Sequence, residues 1–139
     1  MQIRPFRPED EAAVIALWQR CALTRPWNDP HKDIQRKLTT QPELFLVGER
    51  DGLLVASVMA GFDGHRGWVN YLAVDPERQR QGLGRLLMRE VEQRLRDRGC
   101  PKLNLQLRSD NQAVLAFYQQ LGYGVEPLIS LGKRLIADG

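Results

Sequence analysis

The chain has 139 residues, 42% of them apolar, and a formal net charge of +3. This suits a single domain, residues 1–139, with a real core; the charge is too small and too evenly spread to argue for nucleic-acid binding, and no apolar run approaches the roughly 18 residues of a membrane span. Only two cysteines, Cys21 and Cys100, are present, and the opening Met1-Gln2-Ile3-Arg4-Pro5 lacks a secretion-signal pattern, so free thiols and a cytoplasmic location are expected.

Residues 2–6 read as an opening strand. Residues 9–21 read as a helix: Val14, Leu17, Trp18 and Cys21 share one face, and Glu9, Asp10 and Glu11 favour its positive end. Asp29-Pro30 reads as an N-cap followed by proline at the first helical position, opening a helix to about residue 39 with Ile34 and Leu38 inward. Residues 44–50 and 53–62 read as strands joined by the hairpin turn Asp51-Gly52. After the turn Gly64-His65-Arg66-Gly67, residues 68–74 read as another strand. Residues 82–98 are the clearest helix, with Leu83, Leu87, Val91 and Leu95 every fourth residue and Gly99 as the stop. Residues 102–107 follow as a strand and 111–121 as a helix, capped by Asp110 and stopped by Gly122. Residues 123–125 and 129–131 read as short closing strands. The order predicts an α/β (α+β) domain, with a mixed, mostly antiparallel sheet of about six to seven strands flanked by about four helices.

The run from Leu72 to Arg85 is the most informative stretch. An apolar strand leads through Asp75-Pro76 into a glycine-bearing loop and then a long helix. Free backbone N–H groups at a helix N-terminus form an anion site. Gly82 and Gly84 let a phosphate approach the main chain, and Arg78, Arg80 and Arg85 add positive charge around it. A phosphorylated ligand is expected here.

Gln79-Arg80-Gln81-Gly82-Leu83-Gly84 resembles the Q/R-x-x-G-x-G/A signature of the GNAT superfamily of N-acetyltransferases, and Asn111-Gln112-Ala113-Val114-Leu115-Ala116-Phe117-Tyr118 with Leu121-Gly122-Tyr123 resembles its second block. The element order matches over nearly the whole chain. Arg25-Pro26-Trp27-Asn28-Asp29-Pro30, Asp63-Gly64-His65-Arg66-Gly67 and Ser130-Leu131-Gly132-Lys133-Arg134-Leu135 are similar to the bacterial YpeA-type acetyltransferases of that superfamily. The resemblance implies acetyl-CoA as donor. It implies that residues 79–84 (Gln79, Arg80, Gln81, Gly82, Leu83 and Gly84), beside Arg85, hold the pyrophosphate. It also implies that Leu72, Ala73 and Val74 bond the pantetheine arm through their main chain where two strands splay apart, that Asn111 bonds the pantetheine, and that Tyr118 sits close to the thioester sulfur.

Acetyl transfer needs a neutral amine, a donor for the developing oxyanion and a proton for the departing thiolate. A backbone N–H near Val74 suits the oxyanion. Tyr118 suits the proton, because a phenol with a reference pKa near 10 stays protonated at neutral pH; its plain alternative is a core aromatic, just as Asn111 has the alternative of a helix cap. In protein N-terminal acetyltransferases a glutamate precedes the second block; here Gln106 stands there and cannot take a proton. Asp63, His65 and Glu49 are the remaining candidates for a base, directly or through water, and a loop histidine in solvent is the plainer reading of His65. Trp27 and Asn28 belong to the connection expected to line the acceptor pocket; Trp27 either lines it or pins the loop. Asp29 either attracts a cationic amine or caps its helix, and Asn70 with Tyr71 can orient water. No metal is expected.

The leading expectation is an N-acetyltransferase acting on a primary amine, either a small molecule or a peptide terminus, without nucleic acid or membrane as partner. The alternative is a non-catalytic acyl-CoA-binding regulatory module. A P-loop or dinucleotide fold is set aside, since no G-x-x-x-x-G-K-[ST] is present and the loop lacks the third glycine of G-x-G-x-x-G. The resemblance also makes a homodimer plausible, with the run Leu128-Ile129-Ser130-Leu131 pairing across an interface or simply completing the sheet.

Overall fold

The apolar run at residues 53–62 forms the longest strand and the centre of the sheet. The computed structural model describes residues 1–139. They separate into two compact units, residues 1–105 with 138–139, and residues 106–137.

The larger unit contains β1 (Gln2–Pro5), α1 (Glu11–Arg20), α2 (Pro30–Leu38), β2 (Phe45–Arg50), β3 (Leu53–Phe62), β4 (Gly67–Val74), α3 (Leu83–Asp97) and β5 (Leu103–Leu105). The strands lie in the order β1-β2-β3-β4-β5, antiparallel except for the parallel pair β4 and β5. Asp51 and Gly52 both adopt positive φ, as the tight turn between β2 and β3 requires. Because successive strand residues face opposite ways, both sheet faces are served by one apolar run. Phe45, Val47 and Met59 pack with Phe6, Val14, Leu17, Trp18 and Ile34. Leu46 and Val58, also fully buried cross-strand partners, project from the other face. There α3 lies along β3 and β4, burying Leu83, Leu87, Val91 and Leu95 as their spacing predicts.

Several boundaries differ from the sequence reading. α1 starts after a 3-10 turn at Pro8–Asp10, because Asp10 is committed elsewhere: its carboxylate accepts from the Arg7 N–H and from both terminal nitrogens of Arg4. Arg4 also binds Glu49, tying β1 to β2. The Arg4 guanidinium holds the Asp10 carboxyl below its ordinary range, against the opposing pull of burial. A depressed folded-state pKa adds stability that is present above the unfolded value near 3.9 and is lost as pH falls through the lower folded value. Urea melts across this acid range are therefore expected to show an Asp10→Asn variant about 2 kcal/mol less stable near neutral pH, with the gap closing below the usual carboxylate range.

The smaller unit holds α4 (Gln112–Gln120). Its cap is Asn111, whose side chain accepts from the Val114 N–H at 3.2 Å, and not Asp110. The expected closing strands at 123–125 and 129–131 do not form, so the sheet has five strands and not six or seven. The local chemistry explains this. Gly124 is a weak strand former, Pro127 offers no N–H to a ladder, and the Leu128 N–H turns back to the Glu126 carbonyl at 2.8 Å.

Candidate active site

β4 is the backbone of the site. It pairs with β5 over only three residues, Gly67 to Leu103, Trp68 to Asn104 and Val69 to Leu105. From Asn70 to Val74 it keeps β3 on one side and has no strand on the other. Within this open stretch the register with β3 jumps: Met59 faces Asn70, but Ser57 faces Ala73. Tyr71 and Leu72 thus share the single partner Val58, a β-bulge, and Tyr71 adopts φ +54°. The Asp75 N–H donates to the Val55 carbonyl at 2.8 Å. In an antiparallel ladder bonded and non-bonded pairs alternate, so Val74, opposite Ala56, turns its N–H and C=O away from β3. The Cys21 thiol accordingly reaches the Val74 carbonyl from the end of α1 at 3.2 Å, and burial pushes that thiol's pKa up.

β4 leads straight into the glycine-bearing loop that opens α3. After Val74, the Asp75 carboxylate accepts from the Glu77 N–H and starts a 3-10 turn at Pro76–Arg78. Arg80 at φ +66° and Gly82 at φ +77° then bend the loop into α3. No side chain caps α3, and no acid lies in its first turn. Its leading N–H groups therefore face outward with the positive end of the helix dipole behind them. Gly84 is buried within that first turn. Arg50, at the end of β2, donates to the Gln81 side-chain oxygen at 2.7 Å and so anchors the loop; nothing in the sequence pattern marks that link.

In the smaller unit, Tyr118 is 6% exposed, with Phe117 and Tyr123 edge-on to its ring. Burial raises the phenol's pKa, keeping it a proton donor. Asn111 uses its side-chain oxygen to cap α4, which leaves its amide NH2 group free of that duty. Gln106 donates to the Ser130 hydroxyl and so has a structural partner.

Residues 12–123 match the model of the Acetyltransferase (GNAT) family. The chain belongs to the GNAT family of acetyltransferases. It is 52% identical over 138 residues to an acetyltransferase of Pectobacterium atrosepticum, covering 99% of this chain and 98% of that one. Among solved structures it resembles the ribosomal-protein-S18-alanine N-acetyltransferase of Escherichia coli, with 28% identity and a TM-score of 0.72 over 87% of this chain and 76% of that one. It shares its fold with the PaiA N-acetyltransferase of Thermoplasma acidophilum in complex with coenzyme A, with 20% identity and a TM-score of 0.79 over 92% of each chain. The chain is thus an acetyl-CoA-dependent N-acetyltransferase.

The remaining candidate residues for a base and for the acceptor lie on several elements. Asp63 and His65 occupy the tip of the hairpin between β3 and β4. The Asp63 carboxylate accepts from the N–H groups of Arg66 and His65, which lower its pKa, and from the Trp68 indole. Val74 lies at the opposite end of β4, roughly 25 Å of strand away. That separation removes both residues from direct proton abstraction beside Val74, and Glu49 is committed to Arg4. Asp29 caps α2 by accepting from the His31 N–H at 2.9 Å, and its own N–H donates to Asp138. Trp27 is exposed, and the Asn28 N–H closes a turn onto the Arg25 carbonyl. Asn70 is exposed beside the bulge on the open stretch of β4. Sequence reasoning also passed over the Asp33 carboxylate, which accepts from the Tyr71 hydroxyl at 2.6 Å.

Proposed function

We propose that the protein transfers the acetyl group of acetyl-CoA to a primary amine by direct attack in a ternary complex. The observation that carries this reading is one continuous run of main chain: an open strand edge ending at an outward-facing Val74 N–H, followed within ten residues by the uncapped N-terminus of α3. The first part offers hydrogen bonds to a pantetheine arm and its thioester. The second offers N–H groups to a pyrophosphate, with Gln79 to Gly84 as the cradle and Arg85 beside it.

In the proposed reaction the amine nitrogen attacks the thioester carbon. The Val74 N–H, held in place beforehand, receives the developing oxyanion. As the carbon–sulfur bond breaks, the electron pair leaves on sulfur and Tyr118 supplies its proton. The nitrogen's surplus proton passes to solvent, and the phenol is restored from water. An α-amine, with a reference pKa near 8, needs less help to lose its proton than a lysine near 10.4. Gln106 is an amide and takes no part as a base. A small-molecule amine or a peptide N-terminus is the acceptor, and the resemblance to an N-acetyltransferase of a protein's alanine supports the second. Trp27, Asn28, Asp29 and Asn70 are the residues we assign to the acceptor side. The reading takes residues 1–139 as one catalytic domain, and the family match over residues 12–123 supports it.

Calorimetric titration with acetyl-CoA and with CoA, followed by thiol-release assays over small amines and short peptides, tests this reading. Binding with turnover supports it. Binding without turnover on any amine points to an acyl-CoA-binding regulatory module, and no binding overturns both. The same reading includes a homodimer. Leu128, Ile129 and Leu131 are 77%, 88% and 92% exposed, a run of apolar side chains that a second copy can cover. Light scattering is expected to give twice the chain mass for the native protein, and the single-chain mass for Ile129→Asp.

A further inference from the structure

We propose that Tyr71, held by Asp33, is the brace that sets the bulge of β4 and thereby aims the Val74 N–H; the inference rests on the acetyltransferase reading above. Tyr71 is a bulky residue in the left-handed region, an arrangement that persists only when its surroundings hold it there. Glycine would adopt this conformation without strain. What glycine lacks is the side chain, and that side chain is held at two points.

The first point is the ring. It stacks on Trp18 with centroids 3.9 Å apart and planes 9° from parallel. Trp18 is itself fully buried, and its indole N–H donates to the Ser57 hydroxyl at 2.9 Å. The second point is the hydroxyl, which donates to Asp33 on α2. Asp33 also faces Arg36 at 3.2 Å, and Arg36 reaches the buried Asp138 carboxylate at 2.6 Å. The phenol's pKa is raised by burial and by Asp33, so the hydroxyl remains a donor.

The consequence lies in the register. Tyr71 and Leu72 together oppose Val58. Without the extra residue, every later residue of β4 would move by one position along β3. Ladder bonds alternate with a period of two. The Val74 N–H would then turn into the ladder, and the Ala73 N–H would turn outward in its place. The bulge therefore selects which N–H is presented on the open edge, and Tyr71 with Asp33 holds the bulge. Tyr71 and Asp33 are positioning residues in this account; neither touches the reacting atoms.

The test uses the full chain and acetyl-CoA labelled with carbon-13 at the thioester carbonyl. In the native protein, binding should lower the carbonyl stretching frequency, because a fixed N–H polarises the bond. Tyr71→Phe keeps the ring stack and loses the hydroxyl, whereas Asp33→Asn keeps the shape and loses the charge. Each variant should lose half or more of the frequency shift while affinity for free CoA, carried largely by the pyrophosphate contacts of the loop, stays within about fivefold. The double variant should be no worse than either single one, as for two halves of one contact. With any amine that the native protein acetylates, kcat should fall about tenfold with little change in the KM for acetyl-CoA. A native-sized shift in both variants overturns the proposal, as do additive losses in the double variant. If one variant does not fold, the other decides alone. Absence of acetyl-CoA binding by the native protein would instead overturn the acetyltransferase reading itself, and the brace with it.

Discussion

Replacing Gly82 with valine weakens acetyl-CoA binding at least about thirty-fold, the equivalent of about 2 kcal/mol, while the melting temperature falls by only several degrees and the protein stays folded at assay temperature. Gly82 is the N-cap of α3 and sits at φ +77°. A β-branched residue is strained there, and the loop relieves the strain by leaving the left-handed region. That movement redirects the leading N–H groups of α3, on which the proposed pyrophosphate contact depends. A Cβ at this position meets no atom within 4 Å, so the cost to the fold is the backbone strain alone, about 1–2 kcal/mol. Affinity and stability therefore separate in this variant, and calorimetry beside a thermal melt reads both. Equal binding by the variant and the native protein would remove the loop from the site and leave Gly82 as a turn residue. Unchanged binding would also detach the open edge of β4 from the anion site that follows it.

Removing the Tyr118 hydroxyl with Tyr118→Phe lowers kcat about a hundredfold or more and leaves CoA affinity within about twofold. The ring is 6% exposed, and phenylalanine fills the same space. The loss falls on the proton that the departing sulfur needs. Burial raises the phenol's pKa, which fixes the sign of the pH dependence. The acid form persists above the ordinary tyrosine value, so the native rate should show no loss to phenol ionisation up to about pH 10. A rate limb falling well below that pH and vanishing in the phenylalanine variant would mean that the phenol ionises in a wetter setting than its burial implies. An unchanged kcat in Tyr118→Phe would return Tyr118 to the role of a core aromatic, and solvent would protonate the thiolate.

The helices and the glycine-bearing turn into α3 are legible in the sequence because the signals that specify them are local. Leu83, Leu87, Val91 and Leu95 repeat at helical spacing and are all buried. Asp29-Pro30 opens α2 by side-chain chemistry contained within three residues. Asp51-Gly52 makes its hairpin for the same reason. Gly82 and Gly84 stand directly where a strand becomes a helix, so composition and position agree.

Long-range pairing decided the rest. Apolar residues 123–125 and 129–131 carry strand-like character, yet a strand needs a ladder, and β5 is the last strand of the sheet. Asp63 and His65 have the chemistry of a base, but the length of β4 carries them to the far end from Val74. The bulge at Tyr71 has no glycine to announce it. It is visible only when β3 and β4 are in register and Trp18 and Asp33 are in place. Periodicity reports which side of an element is buried. It does not report where two strands part or which N–H is left facing outward, because both depend on partners distant in the chain.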